Sequence, residues 1–240
     1  MDDIRSAESV RALFDEMART YGVVNLVSSL GFAYFWRRSC VAAVRGEAAT
    51  VCDLMAGGGE CLPHLEREFG RGVQVDLVDW STEMCKRAES TVARSGRTGA
   101  RVLNCNALAL PCPNHSYDVV VSTFGLKTLK EEELAELAKE VKRVLRPGGR
   151  FAFLEFSVPE RVVVRQFFRA YVEWWVPFLG AVFLGNPDNY RMLWRYTSSF
   201  GNCRRALPRF QQCGLETQYS SYFMGSATQL SGRAPGPGLG

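Results

Sequence analysis

Val51-Cys52-Asp53-Leu54-Met55-Ala56-Gly57-Gly58-Gly59-Glu60 is the stretch that decides the fold of this 240-residue chain. An apolar run from Ala49 to Leu54 breaks abruptly into three glycines. Such a run reads as a buried strand entering a tight turn. Glycines carry no Cβ, so the backbone there can approach a ligand closely. A second apolar run, from Val73 to Val78, ends at Asp79. An acid about 20 residues past the glycine turn, at the tip of the next strand, is where nucleotide-binding α/β folds grip a ribose diol. The plain alternative is an ordinary strand–turn–helix junction. The functional reading is a site for an adenosine-containing cofactor.

A pyrophosphate dinucleotide calls for G-x-G-x-x-G, whose third glycine lets helix and strand pack tightly. Gly57 and Gly59 supply the first two, but Leu62 occupies the third position. That departure argues against a nicotinamide-dependent oxidoreductase. Asp53 lies at the strand end, four residues before Gly57. The resulting D-x-x-x-G-x-G resembles the first motif of class I S-adenosylmethionine (SAM) methyltransferases. An acid there suits a cofactor with a cationic amino group and no phosphates.

A chain of this length accommodates one α/β domain with a full core. A net charge of +4, with Lys and Arg scattered, does not mark a nucleic-acid surface. Eight cysteines form no C-x-x-C pair, and several sit inside apolar runs. This points to buried thiols in a reducing, cytoplasmic setting rather than a disulfide framework. Cys112 and His115 lack further ligands nearby in sequence, so no metal site is expected. No signal-peptide pattern opens the chain.

Helical spacing of Val10, Leu13, Phe14 and Met17 predicts a helix over residues 5–19, and a second is expected over 32–45. Strands are predicted near 50–54, 73–79, 101–105, 117–122 and 150–156. Helices are predicted near 59–69, 82–94 and 131–145. This alternation implies a doubly wound, mostly parallel sheet. Pro147-Gly148-Gly149 reads as the turn into the fifth strand. A helix near 203–213 would follow. Leu215, Thr217 and Tyr219, then Tyr222 and Met224, suggest two final antiparallel strands, completing seven. One domain would span 1–231, with an N-terminal helical lid at 1–48 and a helical cap insertion at 160–200. Residues 232–240, rich in Gly and Pro, read as a disordered tail.

Phe167, Phe168, Tyr171, Trp174, Trp175, Phe178, Phe183, Tyr190, Trp194, Tyr196 and Phe200 crowd the cap. Arg165, Arg169, Glu173 and Pro177 interrupt it, which argues against a membrane span. The rings would serve either as core or dimer surface, or as the wall of an apolar acceptor pocket. In the second case, Trp174 and Tyr190 are candidate lining residues.

The residues now resemble one family, the ubiquinone/menaquinone-biosynthesis C-methyltransferases. Arg143-Val144-Leu145-Arg146-Pro147-Gly148-Gly149-Arg150-Phe151-Ala152-Phe153-Leu154-Glu155-Phe156-Ser157 is similar to that family's R-V-L-K-P-G-G-x-F-x-x-L-E-x-S. Tyr21, Asn25, Ser29 and Trp36, running on to Arg37, match its N-terminal motif. Asn106-Ala107 matches its N-A pair, and Phe124-Gly125-Leu126-Lys127-Thr128 stands where it has F-G-x-R-N. Gly22 replaces a family acid, Ala33 a histidine, and Lys127-Thr128 the Arg-Asn pair. These departures fall in segments that face the acceptor in the family. The cofactor motifs are better kept, which implies the same chemistry on a different acceptor.

The resemblance implies SAM as cofactor, held by Asp53, Gly57, Gly58, Gly59, Asp79, Trp80, Asn106, Ala107, Ser122 and Thr123. Asp53 and the glycines would hold the amino-acid portion, Asp79 the ribose, Trp80 an adenine face and Asn106 the adenine edge. Lys127 would stabilise a phenolate-like acceptor, and Tyr21 would close over the site; these two are the candidate catalytic residues. A solvated loop lysine and core packing are their respective plain alternatives. His64 and His115 are poor candidates for a general base. The acceptor would be a small aromatic or isoprenoid molecule. A homodimer and a peripheral membrane contact are both compatible with the aromatic segment. A SAM-binding protein that does not methylate, such as a cyclase-like or regulatory one, is the alternative within the same fold.

Overall fold

The computed structural model describes residues 7–18, 29, 31–176, 178, 181 and 187–236. The side chains of 172, 187–191 and 193, Tyr190 among them, lie outside the described set, as does all of Tyr21. Helices α1 (Ala7–Met17) and α2 (Phe32–Ala42) precede the sheet. Strand β1 (Thr50–Leu54) then leads through the glycine turn into α3 (Leu62–Phe69). Next come β2 (Gln74–Asp79), α4 (Thr82–Ser95), β3 (Ala100–Asn104), β4 (Tyr117–Thr123), α5 (Glu131–Val144) and β5 (Leu145–Phe156). Helices α6 (Val162–Ala170), α7 (Pro187–Phe200) and α8 (Leu207–Gln212) lead to the last strands, β6 (Glu216–Tyr222) and β7 (Ala227–Arg233).

One seven-stranded sheet has the order β3-β2-β1-β4-β5-β7-β6. Strands β1 to β5 pair in parallel, while β7 runs antiparallel to both β5 and β6. Alternation along the strands builds a core on each face. Cys52, Leu54, Val120, Phe151 and Phe153 pack under α5 and Phe210 of α8. Val51, Val119, Val121, Ala152 and Leu154 pack against Cys40 and Val41 of α2 and Leu65 of α3. By the same alternation Asp53 shares the face covered by α2.

The chain reverses sheet order between β1 and β4. Ligands of open α/β sheets bind outside the carboxyl ends of strands at such a point. Helix α1 is docked there: Ser81 Oγ donates to Asp15 Oδ1 (2.5 Å), and the Glu83 backbone N–H donates to the same oxygen (3.2 Å). Asp15 thereby adds a carboxylate to the first turn of α4, where the helix dipole favours it.

Three expectations are corrected. Pro147-Gly148-Gly149 does not separate helix from strand but lies within β5, where the β4 pairing shifts register between Tyr117 and Val119. Tyr222 ends β6 instead of opening the last strand, and Met224 falls in the turn, with φ +57°. Residues 232–236 are not a free tail. The Gly148 N–H donates to the Pro235 carbonyl (3.0 Å) and the Ala234 N–H to the Gly149 carbonyl (2.8 Å), so the glycines of β5 clasp them.

Candidate functional site

A cleft of about 980 Å³, measured out to its open mouth, lies above the carboxyl ends of β1 to β4. Met55, Ala56, Gly57 and Glu60 form one side, followed by Asp79, Trp80 and Ser81, then Asn106, Ala107 and Leu108. Thr123, Phe124 and Gly125 follow β4, and Val10, Arg11 and Phe14 of α1 close the top.

Gly57 and Gly59 turn the chain at φ +57° and +80°, conformations that L side chains rarely adopt. A Cβ on Gly58 would come within 2.9 Å of Glu60 Oε1. Gly57 lines the cleft. Gly58 and Gly59 shape the turn from behind, the Gly58 carbonyl accepting from Thr91 Oγ1 (2.8 Å).

Asp79 is oriented by two backbone donors. The Gly57 N–H reaches Oδ2 (2.8 Å) and the Ser81 N–H reaches Oδ1 (2.9 Å). Burial outweighs these bonds and raises its pKa to about 6. Trp80 is 40% exposed on the cleft wall. The Asn106 side-chain oxygen accepts from the Leu108 N–H (2.9 Å), which fixes the third wall.

Asp53 is 1% exposed, and neither carboxylate oxygen has a hydrogen-bond partner. Burial and the Glu60 carboxylate push its pKa well up, against the pull of Arg37. A buried acid with both oxygens orphaned is a poor structural element but a suitable receptor for a cationic group. The residues present therefore fit a nucleoside cofactor with a cationic amino-acid tail. Asp79, Trp80 and Gly57 line the cleft, where they would meet its ribose, base and amino-acid portion; Asp53 is not part of that lining and lies buried on β1.

Two sequence expectations are corrected at β4. Thr123 lines the cleft, but Ser122 is 1% exposed on the other side of the strand end. Lys127 does not reach the cleft either. It is 2% exposed, and its Nζ pairs with Glu155 Oε1 (2.9 Å) and donates to the Phe124 carbonyl. The cause is Phe124, a non-glycine residue at φ +69°, which redirects the chain so that Phe124 enters the cleft and Lys127 turns inward.

The acceptor wall is corrected at Trp174, while the side chain of Tyr190 lies outside the described residues. No described residue of the 160–200 segment lines the cleft. Helix α6 buries none of its side chains, and Phe167 and Trp174 are 77% and 76% exposed, while Tyr196 and Phe200 enter the core. His64 lies against Tyr34 with the ring planes tilted by 56° (centroids 4.6 Å apart), its pKa lowered to about 4 by burial and nearby arginines. His115 bonds the Leu145 carbonyl at the opposite end of the sheet. Sequence reasoning missed Glu60, Phe124, Glu133 and Arg37 as cleft residues. The signals were present, since Glu60 closes the glycine turn and Arg37 follows Trp36.

Sheet order, glycine turn, ribose-type acid and orphaned carboxylate together define the class I methyltransferase type of α/β protein. The profile of the ubiE/COQ5 methyltransferase family matches residues 1–232, and the chain belongs to that family. The demethylmenaquinone methyltransferase of Lactiplantibacillus plantarum is 30% identical over 222 residues, covering 91% of this chain and 92% of its own. The ubiquinone/menaquinone biosynthesis C-methyltransferase UbiE of Citrobacter koseri is 33% identical over 193 residues, covering 79% of this chain and 75% of its own. A SAM-dependent methyltransferase from Aquifex aeolicus shares the fold, with a TM-score of 0.59 at 18% identity over 82% of this chain and 88% of that one. The protein is accordingly a methyltransferase, and SAM is its cofactor.

Proposed function

We propose that this enzyme methylates a carbon of a quinone-like aromatic acceptor, presented at the cleft mouth beside Phe124 and the lid helix. The observation that carries the reading is the combined site: Asp79 held by two backbone donors, with the orphaned Asp53 on the neighbouring strand. The relatives named for ubiquinone and menaquinone biosynthesis supply the acceptor class.

SAM supplies an already activated methyl group. The chain's residues therefore have to bind, orient and exclude water. Asp79 would accept from the ribose hydroxyls, Trp80 and the Asn106–Leu108 edge would enclose the adenine, and Asp53 would face the ammonium group. Phe124 stacks on Phe156 (ring centroids 4.4 Å apart, planes 19° apart), and Trp36 meets Phe156 edge-on at 5.5 Å. This rack holds an apolar wall against the cleft and keeps water out.

A cytoplasmic location is part of the proposal, supported by free cysteines at 40, 52, 61, 85 and 203, all buried. Among the described residues no helix is long and apolar enough to cross a membrane. The outward rings of α6 and the turn after it, interleaved with Arg165 and Arg169, support a peripheral contact with the lipid surface that would present an isoprenoid acceptor. Incubation with labelled SAM and demethylated quinols should yield ring-methylated product and S-adenosylhomocysteine. Cofactor binding with no transfer to any reduced quinone or phenol would favour the non-methylating alternative.

Asp53→Asn should separate cofactor binding from folding. Asp53 has a raised folded pKa, so the folded chain binds more protons than the unfolded one between about pH 4 and that raised value. Stability of the ligand-free protein thus falls as pH rises through this window, and the full penalty is present above it. The amide cannot ionise. Ligand-free stability at pH 7 should rise by on the order of 1–3 kcal/mol, with Tm climbing about 2–4 °C per kcal/mol. Affinity for S-adenosylhomocysteine should fall at least about tenfold. A variant both less stable and equally tight in binding would remove Asp53 from the site.

A further inference from the structure

A second concavity, about 840 Å³ out to its open mouth, lies beyond the carboxyl end of β5, on the sheet edge that carries the cleft. Glu160 and Arg161 reach it from the turn after β5, Asn202 and Arg204 from the turn before α8, Tyr219 from β6, and Met224 from the hairpin tip between β6 and β7. Among the described residues it shares none with the cleft. Both arginines are exposed, and neither has an acid partner among the described residues. The Arg204 guanidinium lies over the Tyr219 ring, 4.6 Å from its centroid, so the ring supports one face and leaves donors at the edge.

Glu160 enters the same pocket without pairing with either arginine. Two guanidiniums and one carboxylate leave one net positive charge. That balances a phosphodiester, which carries a single negative charge, better than a phosphomonoester, which carries nearly two at neutral pH. The forked donors of arginine suit phosphate oxygens.

The rim of the pocket is apolar. Val162 and Val163 directly follow Arg161, Phe223 precedes Met224, and all four are exposed. Phe223 and Met224 stand at φ +45° and +57°, a conformation that non-glycine residues seldom take. It turns two large apolar side chains outward at a hairpin tip. A charged pocket with such a rim fits an amphiphile, since a soluble phosphate would use the arginines and leave the rim in water. Phe223 also rests against Phe32 (ring centroids 4.8 Å apart) and Phe32 against Trp36 (5.8 Å), whose edge meets Phe156 behind Phe124. A row of rings thus joins the tip to the cleft wall.

We propose that this pocket holds the phosphodiester headgroup of a membrane phospholipid, with Arg161 and Arg204 on the phosphate and the Phe223–Met224 tip among the first acyl carbons. The proposal rests on the peripheral lipid contact of α6 and supplies its point of recognition. A headgroup held there turns the carboxyl edge of the sheet, and so the mouth of the cleft, toward the bilayer.

Sedimentation with phosphatidylglycerol vesicles tests this, against galactolipid vesicles doped with oleate to the same surface charge, which present no phosphate. The wild-type protein should bind the phosphatidylglycerol vesicles at least about tenfold more tightly, the value of a charged hydrogen-bonded contact. Arg161→Gln and Arg204→Gln should each remove most of that preference. Both should keep wild-type Tm and S-adenosylhomocysteine affinity, because both residues are exposed and outside the cleft. Arg165→Gln, on α6 beside the pocket, should weaken binding to both vesicles alike, by about fivefold. Inorganic phosphate at matched ionic strength should not displace the protein from phosphatidylglycerol. A preference that survives in both pocket variants, or that Arg165→Gln removes as fully, overturns the headgroup site while the peripheral contact stands. Equal wild-type binding to the two vesicles has the same meaning. Displacement by inorganic phosphate makes the pocket a site for a soluble anion and overturns its assignment to lipid. Wild-type binding to neither vesicle removes the peripheral contact itself, and the proposal with it.

Discussion

Replacing Lys127 with Met should cost about 3–5 kcal/mol of stability, the range for a buried ion pair deprived of one partner. The side chains of Lys127 and Glu155 are 3% and 0% exposed, and Glu155 binds both the backbone and the side chain of Lys127. Its Oε2 accepts from the Lys127 N–H (3.0 Å), and its Oε1 accepts from Lys127 Nζ (2.9 Å) and the Phe156 N–H (2.7 Å). Lys127 Nζ also caps the carbonyl of Phe124, the residue at positive φ. The pair therefore holds the turn that projects Phe124 into the cleft. Losing the ammonium leaves a carboxylate charged in a dry interior. The double variant Lys127→Met/Glu155→Gln removes that charge, keeps an acceptor for a backbone N–H, and should recover most of the loss. Thermal unfolding at neutral pH measures both. If Lys127→Met unfolds at the wild-type temperature yet transfers no methyl group, Lys127 acts on the acceptor and the structural assignment is wrong.

Asp79→Ala should weaken S-adenosylhomocysteine binding by roughly 2–3 kcal/mol, about 30- to 150-fold, as two hydroxyl donors lose a charged acceptor. The substitution also frees the Gly57 and Ser81 N–H groups, so part of the loss reflects a looser glycine turn. A pH series isolates the direct part. In the free protein the Asp79 pKa is raised to about 6, and the ligand's hydroxyls favour the ionised form. Binding near pH 6 thus releases a proton, and affinity should rise as pH increases through about 6 and level off above 7. The alanine variant should lose that rise. A wild-type affinity that is flat from pH 5 to 7 would mean that Asp79 does not meet the ribose.

Much of this architecture is written locally in the chain. Val51 to Leu54 and Val75 to Val78 are apolar runs short enough to be strands and bounded by Gly or Asp. Gly57 and Asp79, which line the cleft, are legible from spacing, and Asp53 from the resemblance of the motif it opens. What spacing does not carry is direction at the point where a strand stops. Ser122 and Thr123 are adjacent, yet pleating hides one and exposes the other. Lys127 was expected to face the acceptor, but one residue at positive φ reverses the sense of the loop. The aromatic richness of residues 160–200 is legible in the sequence, but the phase of the helices that carry it is not. With Val162, Val163, Phe167 and the two arginines Arg165 and Arg169 interleaved, neither face of α6 is plainly the inner one. Arg37 is legible only as the end of the N-terminal motif and not as a cleft residue, because the acids that share its cleft, Glu60 and Asp79, are remote from it in sequence.

The strand order also constrains how the chain is made. Strand β7 is inserted between β5 and β6, although it is translated after both. While the chain emerges from the ribosome, β5 keeps an unpaired edge and β6 has no strand to join until residues 227–233 arrive. An exposed edge of that kind templates pairing with other chains. The arrangement also makes the last sheet-closing contacts strongly non-local, which slows folding. A stalled or prematurely ended chain would thus carry a nearly complete cofactor cleft beside an open, self-associating edge. The molecule's greatest exposure to aggregation falls in the interval before its final hairpin closes.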